Sequence, residues 1–146
     1  MKIEIRIDPD CTEPRAIILT AAVTREVEAA VNALRQSGPG LLAGLRDGRV
    51  ELLEPDSLLR IWAEGGRVYA AAGQGVYTLR QRLYEVEQTL DPTRFVRISH
   101  GEIINLRRVE HFDLNLAGSI CVRLADGTVT WVSRRYVPRI RAMLKL

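Results

Sequence analysis

Few residues in this sequence are placed to do covalent chemistry. The chain of 146 residues has two histidines, His100 and His111, and two cysteines, Cys11 and Cys121. No serine or cysteine sits in the strand-turn-helix context of a nucleophile elbow. His111 and Asp113 are two apart on a presumed strand, a spacing open to a general base. Nothing else converges on them, and an exposed polar pair is the simpler reading. The cysteines and histidines lack the spacing of metal ligands. Gly73-Gln74-Gly75 is a turn and not a phosphate loop, because no helix with the required Lys and Ser or Thr follows it. The expectation is therefore no catalytic residue, no metal and no cofactor. What remains is non-covalent. The stretch "RFVRISHGEIINLRRVEHFDL", Arg94 to Leu114, crowds Arg97, Ser99, His100, Asn105, Arg107 and Arg108 among apolar residues that alternate as in a half-buried strand.

The charge is uneven. The formal net charge is +3, yet residues 1–56 carry 7 basic against 10 acidic side chains, and residues 57–146 carry 14 against 8. A basic C-terminal part points to a polyanionic partner. Only Lys2 and Lys145 among the 21 basic residues are lysine. Arginine's planar fork suits phosphate and guanine, though a codon bias toward arginine explains such an excess equally well. Apolar residues at 47% and charged residues at 27% describe an ordinary globular chain with a core of its own. The distant cysteines suit a reducing cytoplasm. "KIEIRIDPD" after Met1 has no apolar h-region, and no apolar run approaches the roughly 18 residues of a membrane span.

The elements that must position the polar cluster are mostly strands. "KIEIRID" and "RAIILTA" alternate with period two and predict two strands. "TREVEAAVNALRQ" places Val23, Val27, Ala30, Val31 and Leu34 on one helical face, ended by Gly38-Pro39-Gly40. Residues 1–40 thus form a strand-strand-helix extension, and residues 41–146 the main domain. Hairpins turn at Asp47-Gly48, Gly65-Gly66, Gly73-Gln74-Gly75 and Asp126-Gly127, which predicts antiparallel sheets and not a βαβ unit. A helix is expected over "TLRQRLYEVEQTLD", with Thr78 and Gln81 as a capping box and Pro92 closing the segment. A second, over "SRRYVPRIRAMLKL", has Ser133 as its N-cap candidate and Pro138 in its first turn. Arg67, Arg97 to His100 and Arg134-Arg135 gather near turns and element ends, where loops on a rigid β scaffold reach base edges and phosphates.

"FVRISHGEIINLRRV", followed by "LADGTVTWVSRRYVPRIRAML", resembles the LytTR DNA-binding domain of bacterial transcription regulators. "LRQRLYEVEQTLD" stands where that family has a helix, and "PDSLLRIWAEGGRVYAA" is similar to its first strands. The likeness covers about residues 45–146. It implies a mainly β fold of stacked antiparallel sheets with a short helix between. It also implies loops that enter successive major grooves of double-stranded DNA. Carried over by position, the base-reading loops are the hairpin at Arg67, Ser99-His100, and Ser133 to Arg135. His100 and Arg135 match base-contacting positions, and Arg97 and Arg134 are candidates for phosphate contacts. Asn105 reads as structural, its amide satisfying backbone groups. Ile98, Ile103, Ile104, Leu106, Val122, Leu124, Val129 and Val132 read as core.

Many regulators of this kind carry an N-terminal receiver domain, and residues 1–40 are too short for one. The chain resembles the receiver-less subgroup, some of whose members are encoded beside a small integral-membrane protein that restrains them. The apolar stripe of the first helix must be buried, so the extension is a candidate dimerisation element. Two functions follow from different classes. One is a cytoplasmic, dimeric, sequence-specific transcription regulator on paired half-sites. The other is a non-enzymatic interaction module whose basic face docks an acidic or membrane-associated protein.

Overall fold

The computed structural model describes residues 1–12, 14–35, 42–115 and 117–146. A helix, α1, runs over Arg25–Arg35, with Glu26 and Glu28 in its first turn. Thr24 Oγ1 accepts from Val27 N at 3.4 Å at its start. Strands β1 (Leu42–Arg46) and β2 (Arg49–Leu53) form the first hairpin, and β3 (Leu58–Glu64), β4 (Arg67–Ala72) and β5 (Gly75–Leu79) follow as a meander. Helix α2 covers Leu83–Thr89. After it come β6 (Phe95–Ser99), β7 (Glu102–Asn105), β8 (Val109–Leu114), β9 (Ile120–Leu124) and β10 (Val129–Val132), then helix α3 (Val137–Leu144). The strands make a seven-stranded sheet, ordered β2-β1-β5-β4-β3-β7-β6, and a three-stranded sheet, β10-β9-β8. Every strand pair is antiparallel.

Alternation divides the apolar side chains between two cores. On one face of the large sheet, Ile61, Ala70, Tyr77, Phe95 and Ile103 meet Leu83, Val86 and Leu90 from α2 and its end. On the other face Leu59, Ala71, Val96, Ile98 and Ile104 meet Ile120, Val122, Leu124 and Val132 of the small sheet and Ile140 of α3. The two sheets are therefore stacked, as the family resemblance implied. Leu58 and Ile61 share a face although three apart, because the β3–β4 register shifts between Leu58 and Arg60. The small sheet covers only part of its face; Val50, Leu52 and Val76 toward the β2 side are exposed.

Asn105 is the buried polar residue among the described ones. Its Nδ2 donates to the Leu58 carbonyl at 2.8 Å, and its Oδ1 accepts from Arg107 N at 3.0 Å. The amide thereby ties β7 to the start of β3 and caps the turn at 106–108, which is the structural role expected of it.

Several sequence expectations change. "KIEIRID" and "RAIILTA" form no strand; Ile3, Ile5, Ile7, Ile17 and Leu19 lie exposed, because no ladder partner reaches them among the described residues. Thr78 belongs to β5, paired with Tyr69, so the capping box with Gln81 does not form and α2 starts later, capped at Arg82. Ser133 is not the N-cap of α3; Tyr136 is, and Pro138 does lie in the first turn. Val129 is exposed at the start of β10 and is not core, and Leu106 is only half-buried. The expected boundary at Gly38-Pro39-Gly40 lies outside the described residues.

Candidate nucleic-acid interface

Three connections meet at one end of the stacked sheets. The β3–β4 hairpin turns on Gly65 and Gly66, whose φ values of 57° and 77° are left-handed and open to glycine without strain. That turn sets Arg67 opposite Glu64 at the tip. Beside it, β6 and β7 are joined through His100 and Gly101, and Ala63 N donates to the Gly101 carbonyl at 2.9 Å. On the other side of β6, Ser133 N donates to the Ile98 carbonyl at 2.8 Å, which hooks the lead into α3 onto the same turn.

The hook depends on a bulge. Arg97 faces Ile103 but Ser99 faces Glu102, so β6 takes in one extra residue and the ladder is interrupted at Ile98. A bulge re-aims the side chains that follow it, here Ser99 and His100. Glu102 holds the junction from within: Thr130 Oγ1 donates to its Oε1 at 2.8 Å and Arg60 to its Oε2 at 3.3 Å. The Arg60 guanidinium also lies 4.0 Å from the Trp62 ring centre. Both sheets are thus fastened to one short turn.

The side chains divide into committed and free. Arg67, His100, Arg134 and Arg135 are exposed. Arg67, Arg134 and Arg135 make no ion pair or side-chain hydrogen bond among the described residues. Ser99 and Ser133 are half-buried and serve their own turns. Ser99 Oγ accepts from Gly101 N at 3.3 Å, and the Ser133 carbonyl accepts from Tyr136 N at 2.9 Å and Val137 N at 3.2 Å. Those two amides are therefore occupied, and Pro138 has no N–H, so anion binding at this helix start falls to the arginine side chains more than to the backbone.

Arg97 stands apart. Its side chain is only 11% exposed; Nε donates to Glu87 Oε2 at 3.0 Å and a second nitrogen donates to the His100 carbonyl. To grip a phosphate it has to release both. Here it braces the His100 turn against α2. Arg94 and Arg108 are likewise held by Asp56, Arg94 by its carboxylate and Arg108 by its carbonyl, while Arg107 is mostly exposed and only 3.9 Å from the same carboxylate. Most of the polar crowd in Arg94–Leu114 is therefore internal clamping. Sequence reading passed over Arg139, exposed and one helical turn beyond Arg135; the i, i+4 spacing was the available signal. His111 Nε2 lies 3.2 Å from Asp113 Oδ2, exposed, and away from these connections on β8.

The LytTr DNA-binding domain model matches residues 48–145. The chain belongs to that family. Among full-length relatives are an uncharacterized HTH-type transcriptional regulator of Staphylococcus aureus strain NCTC 8325 and its counterpart in strain MSSA476. Each is 29% identical over 147 residues, spanning 100% of this chain and 99% of the relative. A solved LytTr DNA-binding domain from Bacillus cereus, described as part of a methyl-accepting/DNA response regulator, superposes with a TM-score of 0.69. It is 17% identical and covers 73% of this chain and 97% of that one. That likeness establishes the fold: LytTr-type antiparallel sheets with few helices. The chain is a DNA-binding transcription regulator by family. No helix among the described residues is long and apolar enough to cross a membrane.

Proposed function

We propose that this LytTr chain reads specific DNA sequences through the three fastened connections, as a cytoplasmic dimer on paired half-sites. The reading rests above all on the two backbone bonds, Ala63 to Gly101 and Ser133 to Ile98. They gather exposed Arg67, His100, Arg134 and Arg135 at one end. His100 and Arg135 contact base edges: an arginine fork matches guanine O6 and N7, and an imidazole both donates and accepts. Arg67 and Arg134 hold phosphates and set the register of the body on the duplex. Ser99 and Ser133 shape the turns that carry them. Arg97 acts from inside, as a brace for His100.

Although the Staphylococcus relatives are named HTH-type, the described helices here are separated by strands and are not joined as consecutive helices. Approach by loops suits this architecture better. Docking of an acidic protein on the same basic end is the competing function. Footprinting on the DNA upstream of the protein's own coding sequence, then competition with random DNA, separates the two. A regulator protects a discrete segment and prefers it by about 10³-fold or more. Uniform binding that random DNA removes equally well overturns the proposal.

A further inference from the structure

Residues 2–8 read Lys-Ile-Glu-Ile-Arg-Ile-Asp and have no strand partner among the described residues. Ile3, Ile5 and Ile7 are 83%, 85% and 91% exposed. Arg6 Nε lies 3.3 Å from Glu4 Oε1, as expected of residues two apart on one side of an extended backbone. One side of the segment is therefore wholly apolar, and the other alternates strictly in charge.

From this pattern we infer that residues 2–8 pair antiparallel with the same residues of a second copy, about a two-fold axis at Ile5. In that register Lys2 faces Asp8, Glu4 faces Arg6, Ile3 faces Ile7 and Ile5 faces itself. Every charge meets its opposite. Parallel in-register pairing sets each charge against its own kind. Sliding by one residue sets isoleucines against charges. Centring on Glu4 brings Lys2 onto Arg6, and centring on Arg6 brings Glu4 onto Asp8. Among two-fold arrangements that pair all of residues 2–8, this one satisfies both sides, as an isologous contact requires.

The chain's own next segment is a poorer partner. Cys11 N bonds the Asp8 carbonyl at 3.1 Å and turns the chain back, but residues 15–21 offer a single charge, Arg15, to four alternating ones. An unrelated partner has no reason to select charges that reverse in sign about Ile5. A two-stranded ribbon is marginal in water unless its apolar side is covered. The Met1 ammonium lies 3.1 Å from Glu26, which sets α1 beside the segment, and Val27, Ala30 and Val31 give that helix a half-buried apolar stripe suited to the cover.

The inference rests on the dimeric regulator proposed above for its purpose, but its test does not depend on DNA. Sedimentation equilibrium of the full chain is compared with an acidic variant, Lys2→Glu with Arg6→Glu, and a basic variant, Glu4→Lys with Asp8→Lys. The wild type sediments as a dimer. Each variant alone associates at least about tenfold more weakly, since every cross-strand charge pair has become repulsive, and an equimolar mixture recovers the dimer. A monomeric wild type, variants that dimerise undiminished, or a mixture that stays monomeric overturns the inference. Gel shifts on the footprinted fragment are read separately. A wild type that dimerises yet prefers no fragment removes the DNA reading alone, and one that prefers a fragment as a monomer removes this inference alone.

Discussion

Isoleucine has opposite fates in the two parts of this chain. In residues 42–146, Ile61, Ile98 and Ile104 are fully buried; in residues 1–35, Ile3, Ile5 and Ile7 are almost fully exposed. Both parts carry the same alternation of apolar and polar residues. The pattern states that a face needs covering, not that the chain itself supplies the cover. In the LytTr body the cover is internal, since each face of the large sheet meets a second layer. In the N-terminal part the described residues supply none, and the pairing inferred above leaves it to a second copy. The arginines repeat the contrast in polar form: Arg60, Arg94, Arg97 and Arg108 are spent on the chain's own acids and carbonyls, while Arg67, Arg134 and Arg135 are not.

The sharpest way to break this comparison is one substitution made in both parts. Ile104→Ala opens a cavity between the stacked sheets and lowers the stability of the body by about 2–5 kcal/mol. Ile5→Ala, the same chemical change, shifts it by less than about 0.5 kcal/mol at concentrations too low for association. Urea unfolding followed through Trp62 and Trp131, both in the body, measures each. Equal losses would mean that residues 2–8 pack on the body after all.

Next in size is Asn105→Ala. The side chain is fully buried, and its removal leaves the Leu58 carbonyl and Arg107 N without their partner, a loss of about 1–3 kcal/mol. The same urea measurement checks it. DNA preference at constant folded fraction stays unchanged, because Asn105 lies inside and touches no exposed connection.

How much of this was legible beforehand follows from where the signals reside. Asp47-Gly48, Gly65-Gly66 and Asp126-Gly127 announce hairpins because their backbone conformations exclude most residues, and those turns formed. Thr78 and Gln81 misled, since a capping box is a local pattern and the ladder to Tyr69 outweighed it. The gathering of the three connections was legible only through the family likeness. The bonds that produce it, Ala63 to Gly101 and Ser133 to Ile98, join backbone groups that carry no side-chain signature. The confinement of Arg97 was hidden for a similar reason: Glu87 lies on α2, and only the packed fold brings it within 3.0 Å.

Smaller than the core losses in effect on stability, but decisive for the basic end, are His100→Ala and Arg135→Ala. Both residues are exposed, so unfolding changes little. Each variant loses about 1–3 kcal/mol of discrimination, roughly fivefold to 150-fold, on the footprinted fragment and binds random DNA nearly as before. Competition gel shifts give both numbers. Equal loss on specific and random DNA would place these side chains on phosphates instead.

The smallest effect separates a brace from a contact. Each phosphate neutralised by a side chain adds about 0.9 to the slope of log affinity against log salt. Arg134 is exposed and uncommitted, so Arg134→Ala lowers that slope by about one contact and weakens all sequences alike. Arg97 is held by Glu87 and the His100 carbonyl, so Arg97→Ala leaves the slope where it was and erodes preference for the specific fragment, because the turn carrying His100 loosens. Glu87→Gln should reproduce that pattern more weakly, since it removes the charge of the brace and keeps a hydrogen-bond acceptor. A slope that falls in Arg97→Ala as far as in Arg134→Ala would show that Arg97 leaves its acid when DNA arrives, and the division between committed and free arginines would then describe only the unbound protein.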